Sequence, residues 1–149
     1  MRRSFPATAL EAIERAIRIS EATHDGEIRF AVESAFGAAR LFRGQTAGHR
    51  ASELFSTLRV WDTERNNGIL IYVLLADREI VIVADRAVNA MVGAAAWAAA
   101  CRAMEYAFVN DRFEEGAVAG IHAVSEHLAK HFPRRAREAN ELPDAPVLL

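Results

Sequence analysis

The run Ile69-Leu70-Ile71-Tyr72-Val73-Leu74-Leu75, the pair Asp77-Arg78 and the run Ile80-Val81-Ile82-Val83 decide the fold of this chain. A continuous apolar run of strand length, bounded by polar punctuation, reads as a central strand covered on both faces. Asp77-Arg78 then turns the chain, and 80–83 return as its hairpin partner. Upstream, Ile28, Phe30 and Val32 alternate with Glu27, Arg29 and Glu33, the period of a strand buried on one face, its polar face wet or functional. Between the two strands, Ala47, Ala51, Leu54, Phe55 and Leu58 recur at helical spacing after a loop holding Gly37, Gly44 and Gly48. Strand, helix and strand joined in this way run parallel, and the hairpin adds an antiparallel third strand.

Helices flank this middle. Thr8 and Glu11 form a capping box ahead of Leu10, Ile13 and Ile17, which predicts a helix over 8–23 ending near the Asp25-Gly26 turn. After the hairpin, Trp97, Cys101, Met104 and Phe108 predict one helix. Ala117, Ile121, Val124, Leu128 and Phe132 predict another, and Asn110-Asp111-Arg112 turns between them. The expected domain is 1–132, with 133–149 as a tail lying on its surface; that tail is basic at Arg134, Arg135 and Arg137 and then turns acidic.

The bulk properties exclude several classes of function. A chain of 149 residues, 52% hydrophobic and 26% charged, is expected to fold as one globular domain. A formal charge of -2 argues against a nucleic-acid partner, which calls for a surplus of Lys and Arg. The lone Cys101 predicts a small core residue in a reducing compartment. Met1-Arg2-Arg3 opens like a secretory leader, but Glu11, Glu14 and Arg15 break the apolar stretch such a leader needs. The longest apolar runs, 68–76 and 94–101, fall far short of the roughly 20 residues of a membrane span. A cytoplasmic location is the resulting expectation.

Chemistry is sparse. His127 and His131 share a helix face beside Glu126, but Glu precedes the first His where a zincin needs it after, and His122 is spaced wrongly for the inverted form. Asp62-Thr63-Glu64-Arg65-Asn66-Asn67-Gly68 alternates oxygen-bearing side chains like the start of an EF-hand loop. Asn67 stands at its required glycine and Val73 at its bidentate glutamate, which excludes that motif. A looser oxygen site for Ca²⁺ or Mg²⁺ and plain turn capping by Asp62 and Asn66 are both open readings. Topology adds that the starts of the two parallel strands and the end of the third share one end of the sheet, so Glu27, Asn66, Asn67 and Asp85 converge there. Ligands of open α/β sheets more often bind beyond the opposite, carboxyl ends. No nucleophile elbow, dinucleotide fingerprint or phosphate loop is present.

Arg65-Asn66-Asn67-Gly68-Ile69-Leu70-Ile71-Tyr72-Val73, the Asp77-Arg78 turn and the strand ending at Asp85 resemble the central signature of the TPM domain family. Gly26-Glu27-Ile28-Arg29 and Arg112-Phe113-Glu114-Glu115-Gly116 match in kind and order over 10–132, and the Asn140-Glu141-Leu142-Pro143-Asp144 ending is similar to that of short standalone bacterial members. The resemblance implies a three-layer α/β/α sandwich around a small mixed sheet. It also implies an acidic site for a divalent cation near Asp62, Asn66, Asn67 and Asp85, since relatives include cation binders, weak acid phosphatases and auxiliary factors of membrane proteins. In the enzymatic reading a cation held by Asp85 and Asp62 activates water and Arg65 steadies the developing charge. The family pattern usually has glycine in the turn that here reads Ala84-Asp85-Arg86-Ala87, which weakens the phosphatase expectation. The leader and anchor of long members are not expected here, so their lumenal and envelope roles do not transfer. The second reading is a non-catalytic module that docks on a protein or membrane-associated partner; neither reading specifies an oligomeric state.

Overall fold

The computed structural model describes residues 1–135 and 140–149. Its centre is the predicted strand β2 (Gly68–Leu74), buried throughout. β1 (Glu27–Glu33) pairs with it in parallel, Glu27 opposite Gly68 and Glu33 opposite Leu74. β3 (Glu79–Ala84) returns antiparallel, with Ile69 opposite Ala84. Arg78, at φ 53, closes the hairpin in the left-handed region. A short fourth strand, β4 (Val147–Leu148), lies parallel to β1 on its other side and completes the order β3-β2-β1-β4. The tail expected on the surface thus supplies an edge strand, although its Arg137 lies outside the described residues.

Strand alternation divides the core in two. Ile28, Phe30, Val32, Ile69, Ile71, Val73, Ile80 and Ala84 face a layer that includes α1 (Ala7–Ser20), α4 (Arg86–Val92), α5 (Ala94–Val109) and α6 (Phe113–His131). Ala31, Leu70, Tyr72 and Leu74 face α3 (Ala47–Thr57), together with Val60 and Leu142. With α2 (Ala38–Phe42), this is the α/β/α sandwich expected from the sequence. Among the described residues no single helix is long and apolar enough to cross a membrane.

Several local expectations are corrected. α1 starts at Ala7 behind Pro6 with no side-chain cap, so the Thr8–Glu11 capping box does not form. The turn at Met1–Phe5, closed by Phe5 N–H to Met1 O at 2.9 Å, begins the helix one residue early. α1 ends at Ser20, where the Ser20 hydroxyl bonds Ile17 O and the next residue, Glu21, is drawn to the backbone of β1. The glycine loop contains α2, and the segment after β3 is the helix α4. Most consequential, β1 is buried on both faces, with Glu27, Arg29 and Glu33 each below 10% exposed. Its charged face is covered by α3 and by residues 140–149, which sequence patterning alone does not bring together.

Close backbone approach fixes the β2 end. A Cβ on Gly68 would lie 2.0 Å from the carbonyl oxygen of Val60, whereas one on Gly120 of α6 would meet the flexible Met104 side chain. Gly68→Ala is therefore expected to lower stability by about 3 kcal/mol and Gly120→Ala by about 1 kcal/mol, read from urea unfolding midpoints. Equal losses would contradict the rigid contact at Val60.

Candidate functional site

The strand ends meet as the topology requires. Glu27 N–H donates to Asn67 O at 3.2 Å, Asp85 N–H to Gly68 O at 2.9 Å and Ala87 N–H to Asn66 O at 3.3 Å. Asn66 turns the chain at φ 52, a conformation asparagine tolerates. Asn67 is buried; its Nδ2 donates to Asp25 O at 2.7 Å and its backbone N–H to the Thr63 hydroxyl at 3.1 Å.

The charged candidates separate by side chain. Asp85 is the N-cap of α4, one carboxylate oxygen accepting from Arg86 N–H at 2.6 Å. Its φ of -68 is one any residue adopts, so glycine is not required there. Asp62 is exposed and pairs with Arg59 at 2.6 Å. Arg65 Nη1 pairs with Asp25 at 2.7 Å. Glu27 turns its carboxylate to the C-terminal segment, accepting from Glu141 N–H at 3.0 Å. Asn66, Asn67 and Asp85 thus share one connection by backbone contact, while Asp62, Arg65 and Glu27 have other side-chain partners. Among the described residues no three of His, Cys, Asp or Glu are grouped to hold a metal ion. His127 instead packs edge-on against Trp97, 5.8 Å between ring centres, and burial pushes the Cys101 thiol up to about 11.

Apart from Glu27 Oε2, on the carboxylate that meets the C-terminal segment, two enclosed oxygens at this end have no donor among the described residues: Asn67 Oδ1 and Asp85 Oδ2. Mg²⁺ is commonly held by one or two protein oxygens with water completing its shell, so this pair fits such an ion in part. Asp62 and Glu27 do not extend the set.

Residues that sequence reasoning passed over organise the region. Asp25, read only as a turn residue, holds Arg65 with one carboxylate oxygen, accepts from Asn67 at its carbonyl and donates its N–H to Phe132 O at 2.9 Å. His24 is fully enclosed, and its ring nitrogens have no full hydrogen bond among the described residues; burial, only partly offset by the Gly26 backbone, pushes it down to about 4. Arg29 reaches Pro143 O at 2.8 Å and Ala145 O at 2.9 Å. At the other end of the sheet, Glu33 accepts from Tyr72 Oη at 2.7 Å and Arg50 Nε at 2.8 Å. Burial there would raise the Glu33 carboxyl, but the bonds from Arg50 and Tyr72 outweigh it and hold it below its ordinary value. The signal for this network was the Glu27-Arg29-Glu33 alternation, since charges on a strand inside a sheet need partners.

A mixed four-stranded sheet between two helical layers, with an asparagine-rich connection meeting a helix-capping aspartate at one end, defines a small α/β domain built around a parallel strand pair and a hairpin. The chain belongs to the TPM domain family, whose profile matches residues 4–127. It is similar to the BA42 protein of the psychrophilic bacterium Bizionia argentinensis, at 32% identity and a TM-score of 0.84 over 95% of this chain and 93% of that one. The N-terminal domain of a P. gingivalis protein shares the fold, with a TM-score of 0.69 at 16% identity over 87% of this chain and 82% of that one. Among curated proteins there is no match.

His24 gives a pH prediction. Its folded pKa lies below its ordinary value of 6.5, so between about pH 6.5 and 4 the unfolded chain binds the extra proton and stability falls as pH falls. Relative to His24→Phe, the parent is expected to lose on the order of 1 kcal/mol per pH unit across that window. Parallel stability curves for the two proteins would refute the assignment.

Proposed function

We propose that this TPM domain acts by docking on a partner and not by turnover. One observation carries the reading: α2 buries none of its side chains and presents Leu41 and Phe42, 64% and 96% exposed, to solvent. A nearly fully exposed phenylalanine beside an exposed leucine is an apolar pair that packs little against the described residues, the kind of anchor that fills a pocket at an interface. The surrounding charge indicates the partner's chemistry. Residues 35–49 contain no Asp or Glu but include Arg40, Arg43 and His49. Arg40 is held by Glu53 at 2.9 Å, while Arg43 makes no ion pair with a described residue. The complementary surface is a protein with an apolar pocket rimmed by carboxylates. Support also comes from the proposed catalytic groups, because Asp62 and Arg65 sit in ion pairs and Asp85 caps a helix.

Because Leu41 and Phe42 touch little of their own chain, Leu41→Ser/Phe42→Ser is expected to leave the melting temperature within about 2 °C of the parent. The same variant should lose a partner that the parent captures from lysate, at least tenfold by quantitative mass spectrometry. A captured set identical for both proteins would sink the reading, and retention on anionic vesicles instead would reassign the surface to lipid.

A second reading rests on a separate observation, the enclosed and donorless Asn67 Oδ1 and Asp85 Oδ2. Here the connection binds Mg²⁺ or Ca²⁺ through those two oxygens, with weak phosphomonoester hydrolysis as its enzymatic form. Amide shifts of Asn67 and Asp85 on titration with either ion, abolished in Asp85→Ala, are the expected result. Titration that leaves both amides in place removes this reading without touching the first.

A further inference from the structure

The charged face of β1 is closed by the chain's own C-terminal segment. Arg29 grips two of its carbonyls, Pro143 O and Ala145 O. Glu27 Oε1 accepts from Glu141 N–H at 3.0 Å, and Leu142 inserts into the apolar cluster beneath α3. Beyond it, β4 pairs with Ala31 and Val32, and Leu149 N–H donates to Val32 O at 2.8 Å. Each of these hydrogen bonds uses the backbone of the segment.

The groups under the segment are the unusual part. Glu21, at the C-cap of α1, spans to β1 by accepting from Ile28 N–H at 2.8 Å. Its carboxyl faces the carboxyl groups of Glu27 from β1 and Asp144 from the C-terminal segment. Glu27 faces Glu141 and Asp144. Arg29 faces Asp144 but directs bonds to backbone carbonyls, and Arg134 donates to the Glu21 carbonyl oxygen. Glu21 and Glu27 are each below 10% exposed, and Glu27 Oε2 has no hydrogen-bond donor. Carboxyl groups from three elements are thus packed together beside the Arg29 guanidinium, an arrangement that makes ionisation of the buried Glu21 and Glu27 unfavourable while the segment is closed.

We infer that residues 140–149 form a proton-operated clasp: with Glu21 protonated the segment is shut over β1, and ionisation of Glu21 against Asp144 releases it and uncovers the β1 edge. Opening exposes the strand's unpaired backbone groups and the apolar surface under Leu142, a template for an extended peptide. Burial, followed by the Glu27 charge, pushes Glu21 up to about 9. The closed form holds a proton that the open form sheds above the ordinary value of 4.5, so rising pH favours opening between those limits.

Hydrogen exchange of the full chain, read by mass spectrometry on C-terminal peptides and corrected for base-catalysed exchange, tests the clasp. The opening constant is expected to rise by roughly tenfold per unit between about pH 7.5 and 9, above the titration of Glu27 at about 7, with β2 peptides unaffected. Glu21→Gln keeps an acceptor for Ile28 but cannot ionise, and should hold the segment shut across the range. A parent opening constant independent of pH, or a Glu21→Gln profile with the parent's slope, overturns the proposal. Should that variant not fold, Asp144→Asn serves: a flattened slope supports the clasp and an unchanged slope refutes it. Carboxyl ¹³C titration of the parent adds an independent reading, since a Glu21 midpoint near its ordinary value would remove the proton from the mechanism.

Discussion

The structure depends on the covering of one charged strand face. β1 is sandwiched between β2 and β4, yet Glu27, Arg29 and Glu33 on that face are all ionisable. Burying such groups without partners costs several kcal/mol each, so the fold must bring partners to them. Arg50 of α3 and Tyr72 of β2 satisfy Glu33, Glu141 N–H meets Glu27, and the carbonyls of Pro143 and Ala145 meet Arg29. The positions of α3 and of the C-terminal segment are both consequences of that requirement. Where it is met incompletely, at Glu27 Oε2 and beside Glu21, burial and the neighbouring carboxyls push the Glu21 and Glu27 carboxyls up, towards the neutral form.

The apolar half of the fold was legible because its periods are local. The run at 69–75 and its hairpin partner carry their own strand signature, and the spacings around Met104 and Ile121 carry that of helices packed on one side. β1 shows where local reading stops. Its alternation correctly marked Ile28, Phe30 and Val32 as core, but the cover on Glu27 and Arg29 comes from residues more than 110 positions away, contacts that no periodicity reports. The Pro-containing tail carried no strand pattern, since a two-residue strand such as β4 is too short to show one. α1 illustrates a smaller loss: Thr8 and Glu11 have the right spacing for a capping box, but the turn at Met1–Phe5 sets the helix start first.

The candidate site was legible as a place but not as a set of side chains. Parallel pairing of β1 with β2 and antiparallel pairing of β2 with β3 are enough to put Asn66, Asn67 and Asp85 at one end of the sheet, as the backbone bonds there express. Which way each side chain turns depends on nearby competition. Asp85 is taken by the N–H group at the start of α4, a helix that the quartet Ala84-Asp85-Arg86-Ala87 did not announce. Asp62 finds Arg59 within the same turn, and Arg65 finds Asp25, whose own place is set by the end of α6. The departure from glycine after β3 also changes meaning. Asp85 at φ -68 needs no glycine, and its side chain supplies the cap that a glycine would lack.

These side-chain pairings bear on how such a domain acts. A catalytic constellation needs polar groups held in place by their neighbours yet left free to engage a substrate. Here the polar groups of the sheet end are largely consumed in holding strands, turns and the C-terminal segment together, while α2 leaves Leu41 and Phe42 largely uncovered by the described residues. The buried ionisable groups, for their part, pull stability in opposing directions with pH: His24 favours alkaline conditions and Glu21 with Glu27 favours acidic ones. The two windows overlap in mildly acidic solution, where the two effects offset each other in part, and above about pH 6.5 the loss from the glutamates is unopposed by His24. The scaffold concentrates its proton sensitivity at the seam between α1, β1 and the C-terminal segment, which is where a change of shape leaves the apolar core of the α1, α5 and α6 layer undisturbed.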